Sequence, residues 1–286
     1  MLTTKTLTLM AMIAFAGNSL LCRAAFQQSN IDPASFTSIR LFSGAFMLWL
    51  IVRGSVRRPQ SDGSRGDWFS AFALFVYAAG FSFSYVSLSA ATGALVLFGA
   101  VQSTMIGYGI WTGERLAKVQ LLGMLLTLGG LLGLLLPGLS APPIWGCLFM
   151  AAAGIAWGTY SLRGKGAGDP TVVTAGNFWR AAVMAGGLSF LSLNFTSLDV
   201  AGVVYAVLSG ALASGVGYAI WYSALPGLKA THAATVQLSV PIIAAMGGVA
   251  LLGEPITVRL VLASLAVLGG IALVILEKQN ASAIAD

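Results

Sequence analysis

The chain has 286 residues, of which 57% are hydrophobic and only 8% are charged, and its formal net charge is +6. A soluble domain carries about 25% charged residues, and a soluble fold of this length could not bury so much apolar surface. The basic residues lie between apolar runs, and the interleaved basic and aromatic surface of a nucleic-acid-binding protein is absent. The composition therefore excludes both classes and predicts an all-α, polytopic membrane protein.

Ten apolar runs are long enough to cross a bilayer, which takes about 20 mostly apolar residues in a helix. In chain order they cover residues 5–26, 33–52, 68–88, 90–112, 119–136, 143–162, 171–194, 200–224, 230–252 and 257–276. Lys5 and Ala14-Phe15-Ala16 in the first run imitate a signal peptide with its cleavage site. The run continues to about Phe26 and has a counterpart in the second half. We therefore expect it to be retained as the first span.

Lysine and arginine indicate the orientation of the spans, because cytoplasmic loops carry an excess of both. If the N-terminus is cytoplasmic, the opposite face holds only Arg259. The cytoplasmic segments then hold Lys5, Arg53, Arg57, Arg58, Arg65, Arg115, Lys118, Arg163, Lys165, Lys229 and Lys278. This distribution predicts ten spans with both termini in the cytoplasm. We expect the protein to lie in the cell (inner) membrane.

The two halves of the sequence align with each other at a shift of 140 residues, without a gap from 40–130 onto 180–270. Agreement among alanines and leucines is common by chance in so apolar a chain. Agreement of two intramembrane arginines and two Gly-Glu pairs is not. These positions are Arg40 with Arg180, and Gly113-Glu114 with Gly253-Glu254.

Each copy holds five spans, residues 1–139 in the first and 140–286 in the second. Because five is odd, the second copy must enter the membrane upside down, so the repeats are inverted. Inverted repeats are typical of secondary transporters, whose site lies between the repeats and opens alternately to the two sides. The sequence therefore predicts a carrier of small solutes.

This pattern resembles the EamA branch of the drug/metabolite transporter superfamily. The shared features are the five plus five spans, an arginine in the second span of each repeat, and a Gly-Glu pair before a fifth span with Gly-Gly. The overall likeness to YddG-type amino-acid exporters implies export of aromatic and other neutral amino acids. Pro241 stands at the family's proline position in the second copy, but Val101 replaces it in the first. We therefore expect the two halves to bend unequally.

Arg40 and Arg180 are costly in the hydrocarbon, by roughly 2.5 kcal/mol or more near its centre. Judged by depth in the membrane, Arg40 should pair with Glu254 on the outer side and Arg180 with Glu114 on the inner side. Such pairs would anchor closed states of a carrier. The alternative is that the arginines attract the carboxylate of a substrate.

The transport pathway should be lined by aromatic, amide and hydroxyl groups. Tyr77 and Phe81 share one face of the third span, as Tyr218 and Trp221 do in the eighth. Buried amides turn towards protein or a wet cavity, because lipid cannot satisfy them. The predicted substrate-binding residues are Asn18, Tyr77, Phe81, Gln102, Trp157, Tyr160, Tyr218, Trp221 and Gln237. The alternative for the aromatic members is a belt at the membrane interface.

Glycines have two predicted roles. Gly129 and Gly133 form a small-residue face for close helix packing in the fifth span. Gly80 and Gly217, in the third and eighth spans, are candidates for flexing during transport.

The titratable residues predict transport without proton coupling, since none of the acids lies near mid-membrane and His232 is the single histidine. Proton-coupled efflux of drugs or metabolites is the alternative. Catalytic Ser-His and His-Glu-x-x-His patterns are missing, so we expect no enzyme, no metal and no cofactor. A channel is a further alternative. The expected partners are a small-molecule substrate and the lipid bilayer, with no nucleic acid, and the oligomeric state stays open.

Overall fold

The structure is a computed structural model that describes residues 3–54, 65–113, 117–136, 141–164, 168–228, 233 and 236–285, and only the backbone from residue 278 on. Within these ranges all regular secondary structure is helical. The α-helices are α1 (Thr4–Gln28), α2 (Pro33–Gly54), α3 (Trp68–Tyr85), α4 (Ala90–Trp111), α5 (Lys118–Leu135), α6 (Ile144–Arg163), α7 (Pro170–Leu191), α8 (Val200–Val207), α9 (Gly217–Ala224), α10 (Ser239–Leu252) and α11 (Val258–Ala285). A π-helix, Leu208–Val216, joins α8 to α9, and Leu193–Phe195 and Leu225–Gly227 are 3-10 turns.

Seven helical stretches in the described part of the chain are long and apolar enough to cross a bilayer. They are α1 to α5, Val200–Gly227 and Val258–Glu277. α6 and α7 have 20 and 22 residues, so they also reach spanning length. α10 is apolar and shorter. The chain is a multi-span membrane protein.

Several helices begin where an acidic side chain caps the free backbone N–H groups of the first turn. Asp67 accepts from the N–H groups of Phe69 and Ser70 at the start of α3. Asp169 does the same for α7, where Pro170 follows at a position that needs no N–H donor. These caps set where α3 and α7 begin, and both helix starts lie at the mouth of the cavity described below.

The helices pack in pairs, α5 along α11 and α2 along α7, while α3 packs on α6 and the Val200–Ala224 region packs on α1. Small residues allow the close approach of α5 and α11: a Cβ on Gly123 would lie 2.5 Å from the carbonyl oxygen of Gly270. Gly129 and Gly133, predicted to form a small-residue face for close helix packing, have open space at their Cβ positions, so no described residue packs closely on them. Together with Gly130 they line a groove between α5 and α11.

The two halves bend differently near their aligned Val101 and Pro241. α4 is unbroken through Val101, whereas a turn at Leu238 precedes α10 in the second half. Proline has no N–H to donate to the carbonyl four residues earlier, which here belongs to Gln237. The loss of that bond accounts for a break on the N-terminal side of Pro241.

Candidate functional site

A cavity of about 490 Å³ reaches into the helix bundle from one of its ends. Its mouth lies at Asp67, Arg163 and Pro170, where α3 begins, α6 ends and α7 begins. Its deep end lies at Asn18 and Phe81, in the middle of α1 and towards the end of α3. We call the end of the bundle with the mouth the Asp67 face, and the opposite end the Glu254 face.

All the predicted substrate-binding residues contribute to the lining of this one cavity. They come from α1, α3, α4, α6, α9 and the turn before α10: Asn18, Tyr77, Phe81, Gln102, Trp157, Tyr160, Tyr218, Trp221 and Gln237. The structure thus brings together residues that are as much as 219 positions apart, from residue 18 to residue 237. Their part in binding stays a prediction.

Aromatic rings form a continuous wall in the cavity, with Trp157 at its centre. The ring of Trp157 is stacked on Tyr218 with centroids 5.4 Å apart and an angle of 15° between the planes. It also contacts Tyr160 at 5.4 Å and Tyr77 at 4.9 Å. Stacked and tilted arrangements at these distances are favourable. The wall offers flat apolar surfaces with hydroxyl groups at their edges, which suits an amphipathic molecule.

The π-helix explains why Tyr218 belongs to this wall, although Gly217 and not Tyr218 aligns with Tyr77 in the repeat. A π-helical turn bonds residue i to i+5 and holds more residues than an α-helical turn, which rotates the residues that follow. In the structure Gly217 faces α1, where a Cβ would lie 3.0 Å from the Cβ of Ala14. Tyr218 faces the cavity. Gly210, within the π-helix, lies against the carbonyl of Arg40, so a larger residue would not fit there.

Hydroxyl and amide groups form a second set of lining residues, which sequence reasoning missed. The Asn177 amide donates to the Tyr160 hydroxyl over 3.4 Å, and the Tyr160 hydroxyl donates to Thr174 over 3.3 Å. The Thr174 hydroxyl donates to Tyr222 over 3.1 Å. Asn177 is an amide within an apolar span, so the argument that selected Asn18 and Gln102 applied to it as well.

An ion pair lies at the mouth, with Arg163 Nη2 3.3 Å from Asp67 Oδ1 and both side chains 46% exposed. Burial raises the pKa of Asp67, but hydrogen bonds from Ser70, the charge of Arg163 and the N–H of Phe69 outweigh it and lower the pKa below its usual value. Asp67 is therefore ionised at neutral pH.

Arg40 is packed behind the deep end of the cavity and is only 1% exposed. Its guanidinium carbon lies 5.3 Å from the ring centroid of Tyr77 and 4.7 Å from that of Phe81. Nη2 donates to the Tyr77 hydroxyl over 3.2 Å. Nε and Nη1 have no hydrogen-bond partner among the described residues. The predicted pair of Arg40 with Glu254 is wrong, because Glu254 pairs with Arg23.

Comparisons with known proteins support a membrane transporter. Residues 144–276 match the EamA-like transporter family. An uncharacterized protein of Pseudomonas aeruginosa is 58% identical over 97% of this chain and 96% of its own length. An uncharacterized transporter of Archaeoglobus fulgidus is 24% identical over 87% of this chain and 90% of its own length. The second half of the chain, residues 144–276, is thus similar to the EamA-like transporter family, and the Archaeoglobus relative is a transporter by name.

Two further likenesses extend over most of this chain. The uncharacterized transporter YoaV of Bacillus subtilis is 23% identical over 85% of this chain and 87% of its own length. A crystal structure with 19% sequence identity superposes with a TM-score of 0.64 over 96% of this chain and 99% of its own. At that identity the superposition shows the fold alone.

The Glu254 face of this protein is closed by a cluster around one carboxylate. Glu254 Oε1 lies 2.9 Å from Arg23 Nε, and Oε2 accepts from the N–H of Ala90 over 2.8 Å. Arg23 Nη1 also donates to the carbonyl of Tyr85 over 3.1 Å. We call these groups the Glu254 clasp. It joins α1, the start of α4 and the segment between α10 and α11.

Arg180 and Gly80, one of the two glycines predicted to flex, are held in contacts within the protein. Arg180 Nη1 donates to the carbonyls of Arg65 and Gly176, each over 2.9 Å. Glu114, its predicted partner, lies outside the described residues. A Cβ on Gly80 would lie 2.8 Å from the carbonyl oxygen of Phe149, so Gly80 permits close packing of α3 on α6. The flexing role of Gly80 and Gly217 stays a prediction.

Proposed function

We propose that this protein is a secondary transporter that exports small neutral solutes, foremost amino acids including aromatic ones, by alternating access and without proton coupling. The observation that carries the proposal is the cavity itself, which is open at the Asp67 face, closed at the Glu254 face and walled by aromatic rings. A carrier needs a site that reaches one side of the membrane at a time.

The proposed ten spans in two inverted repeats are supported by how the helices pack. A two-fold relation between the halves should place some helices against their own counterparts. α2 packs on α7 and α5 on α11, which are such pairs. Thr127 and Val267, 140 positions apart, meet at one point, where the Thr127 hydroxyl donates to the Val267 carbonyl over 3.5 Å. The packing of α3 on α6 likewise corresponds to that of Val200–Ala224 on α1.

The proposed orientation places the Asp67 face in the cytoplasm, together with both termini. Basic residues near the described ends of α2, α3, α5 and α6 support it through the excess of positive charge in cytoplasmic segments. They are Arg53, Arg65, Lys118 and Arg163, against Arg259 near the start of α11. With this orientation the cavity is open to the cytoplasm, which is the state that loads an exporter.

The proposed substrate class follows from the size and chemistry of the cavity. Its volume of about 490 Å³ is within the range of sites for small molecules, roughly 300 to 1,000 Å³. Trp157 and Tyr218 can stack on an apolar or aromatic side chain, while Asn18 and Asn177 supply amide groups for polar atoms. An amphipathic neutral amino acid matches this combination.

Transport without proton coupling is supported by the carboxylates. Asp67 is the acidic residue in the described cavity lining, and its lowered pKa keeps it ionised at neutral pH. A group that stays ionised does not pick up and release a proton in each cycle. The competing proposal, proton-coupled efflux of drugs or metabolites, needs a carboxylate that titrates near neutral pH.

Counterflow in liposomes tests the proposal. Purified protein is reconstituted with unlabelled tryptophan inside, and uptake of labelled tryptophan, phenylalanine and leucine is measured with and without a pH gradient. We expect saturable uptake that is accelerated by the trans substrate and unchanged by the gradient. Strong acceleration by a pH gradient alone would favour proton-coupled efflux. Non-saturating flux without counterflow would favour a channel.

The aromatic wall gives a first variant. Trp157→Ala removes the central ring of the wall, on which an aromatic solute would stack, and one such contact is worth about 0.5 to 1.5 kcal/mol. We expect a rise of up to about tenfold in KM for tryptophan counterflow. Trp145→Ala is the matched control, because Trp145 is 71% exposed and does not line the cavity. Equal KM values for the two variants would contradict a binding role for the wall.

A further inference from the structure

Arg40 is a cation whose charge the described part of the chain does not neutralise. The described ion pairs are Arg23 with Glu254 and Arg163 with Asp67. Asp67 lies ten residues before Tyr77 on α3, which is about 15 Å along the helix. A buried charge is costly without a partner, so a site beside Arg40 favours an anionic group.

The hydroxyl of Tyr77 connects this charge with the cavity. It accepts from Arg40 Nη2 over 3.2 Å and from Asn18 Nδ2 over 3.5 Å. A tyrosine hydroxyl has two lone pairs and one proton, so with both lone pairs engaged its proton is left to be donated. Because Tyr77 lines the cavity, that proton is available to a bound solute. A hydrogen bond supported by a cation is stronger than a neutral one.

We infer that Arg40 and Tyr77 make the deep end of the cavity a carboxylate subsite, at which the Tyr77 hydroxyl donates to the carboxylate and Arg40 supplies the compensating charge. The inference rests on the proposed function and deepens it, because it assigns the substrate class and its orientation. The rest of the solute then lies towards the mouth, against Trp157 and Tyr218. A zwitterionic amino acid fits, since aromatic faces stabilise its ammonium group.

The competing explanation is that Arg40 acts only within the protein, as a cation held over the rings of Tyr77 and Phe81. The two explanations differ in a measurable way. A merely structural arginine affects all solutes alike, whereas a carboxylate subsite distinguishes an acid from its amide. The ratio of two affinities in the same protein also does not depend on the fraction of folded molecules.

The test compares equilibrium binding of L-tryptophan and L-tryptophanamide to purified full-length protein by calorimetry. The wild type should bind the acid about tenfold to a hundredfold more tightly than the amide, as expected for a hydrogen bond to a charged group. Arg40→Gln and Tyr77→Phe should bring the ratio close to one, and Arg40→Lys should retain part of it. Arg180→Gln is the matched control, because Arg180 is the counterpart of Arg40 but donates to the carbonyls of Arg65 and Gly176, which do not line the cavity, and its ratio should equal that of the wild type.

Several results would overturn the inference: equal affinities in the wild type, an unchanged ratio in Arg40→Gln or Tyr77→Phe, or no binding of tryptophan at all. Tyr77→Phe keeps the ring and removes only the hydroxyl, so the test holds even where Arg40→Gln does not fold. Measuring flux in liposomes distinguishes failure of the carboxylate subsite from failure of the proposed transport function. If tryptophanamide is transported as fast as tryptophan, the protein is a transporter but has no carboxylate subsite. If tryptophan binds with the expected preference over its amide but no flux is seen, the subsite exists and the proposed transport function is wrong.

Discussion

The two ends of the bundle carry ion pairs built on equivalent arginines, and the pairs have opposite character. Arg23 and Arg163 are 140 positions apart in the sequence and occupy equivalent positions in the proposed repeat. At the Glu254 face, the side chains of Arg23 and Glu254 are 19% and 7% exposed. At the Asp67 face, those of Arg163 and Asp67 are both 46% exposed, and water reaches the pair through the mouth.

Equivalent positions in the proposed repeat thus hold an arginine at each end of the bundle, but the two arginines differ in their contacts and burial. In the closed end, one carboxylate bonds an arginine and a backbone N–H on two other elements, so breaking it separates those elements. In the open end, the carboxylate of Asp67 caps its own helix α3 and contacts one other described element, the end of α6. A buried pair that loses one partner is strongly destabilised, whereas an exposed pair contributes little. The Glu254 face should therefore limit opening of the closed side.

Removing the charge at the closed end should have the largest effect. Glu254→Gln leaves Arg23 without its ionic partner, at a cost of about 3 to 5 kcal/mol for a buried pair. We expect a lower thermal stability and faster labelling of Cys22, which is buried next to Arg23, by a membrane-impermeant thiol reagent in a Cys147→Ser background. Asp67→Asn is the matched control and should label at the wild-type rate. Equal labelling of the two variants would show that the clasp does not hold this face closed.

A steric change next to the clasp should have the next largest effect. A Cβ on Gly248 would lie 2.7 Å from Glu254 Oε2, so Gly248→Ala must displace the carboxylate, at a cost of about 1 to 3 kcal/mol. Gly164→Ala, at the mouth, is the control, because its Cβ would meet nothing nearer than 3.6 Å. We expect a clear fall in Tm for the first variant and no measurable fall for the second. A similar Tm for both would mean that the Glu254 face accommodates the methyl group as easily as the mouth does.

The exposed pair at the mouth should have the smallest effect. Asp67→Asn and Arg163→Gln should each lower stability by about 1 kcal/mol or less. Because the pKa of Asp67 is lowered in the folded protein, its contribution is present above the usual aspartate pKa and is lost as the pH falls through the lowered value. Stability between about pH 6 and about pH 8 should therefore be the same in Asp67→Asn as in the wild type, apart from a constant offset. An offset that grows within this pH interval would contradict the lowered pKa.

The position of each residue along its span could be predicted from the sequence, which is why the cavity lining was largely found. Amides such as Asn18 and Gln102 are unfavourable in contact with lipid, so they face the protein interior or a cavity. Tyr77 and Phe81 share one face of their helix because they are four residues apart. Asn177 lines the cavity and meets the same criterion, so the sequence carries the signal for it as well. The pair of Arg40 with Glu254 failed for a different reason. Depth in the membrane is one coordinate, and the direction of a side chain around the helix decides its partner.

Composition and the lengths of the apolar runs are enough to predict that this chain lies in a membrane, because both act on each segment separately. The sequence also identifies the aromatic and amide residues that are available to a solute. The pairing of Glu254 with Arg23, the position of Tyr218 in the wall after the π-helix and the opening of the cavity at the Asp67 face are seen in the folded protein and could not be predicted from the sequence. These depend on the rotation and separation of helices, which result from packing between segments far apart in the chain.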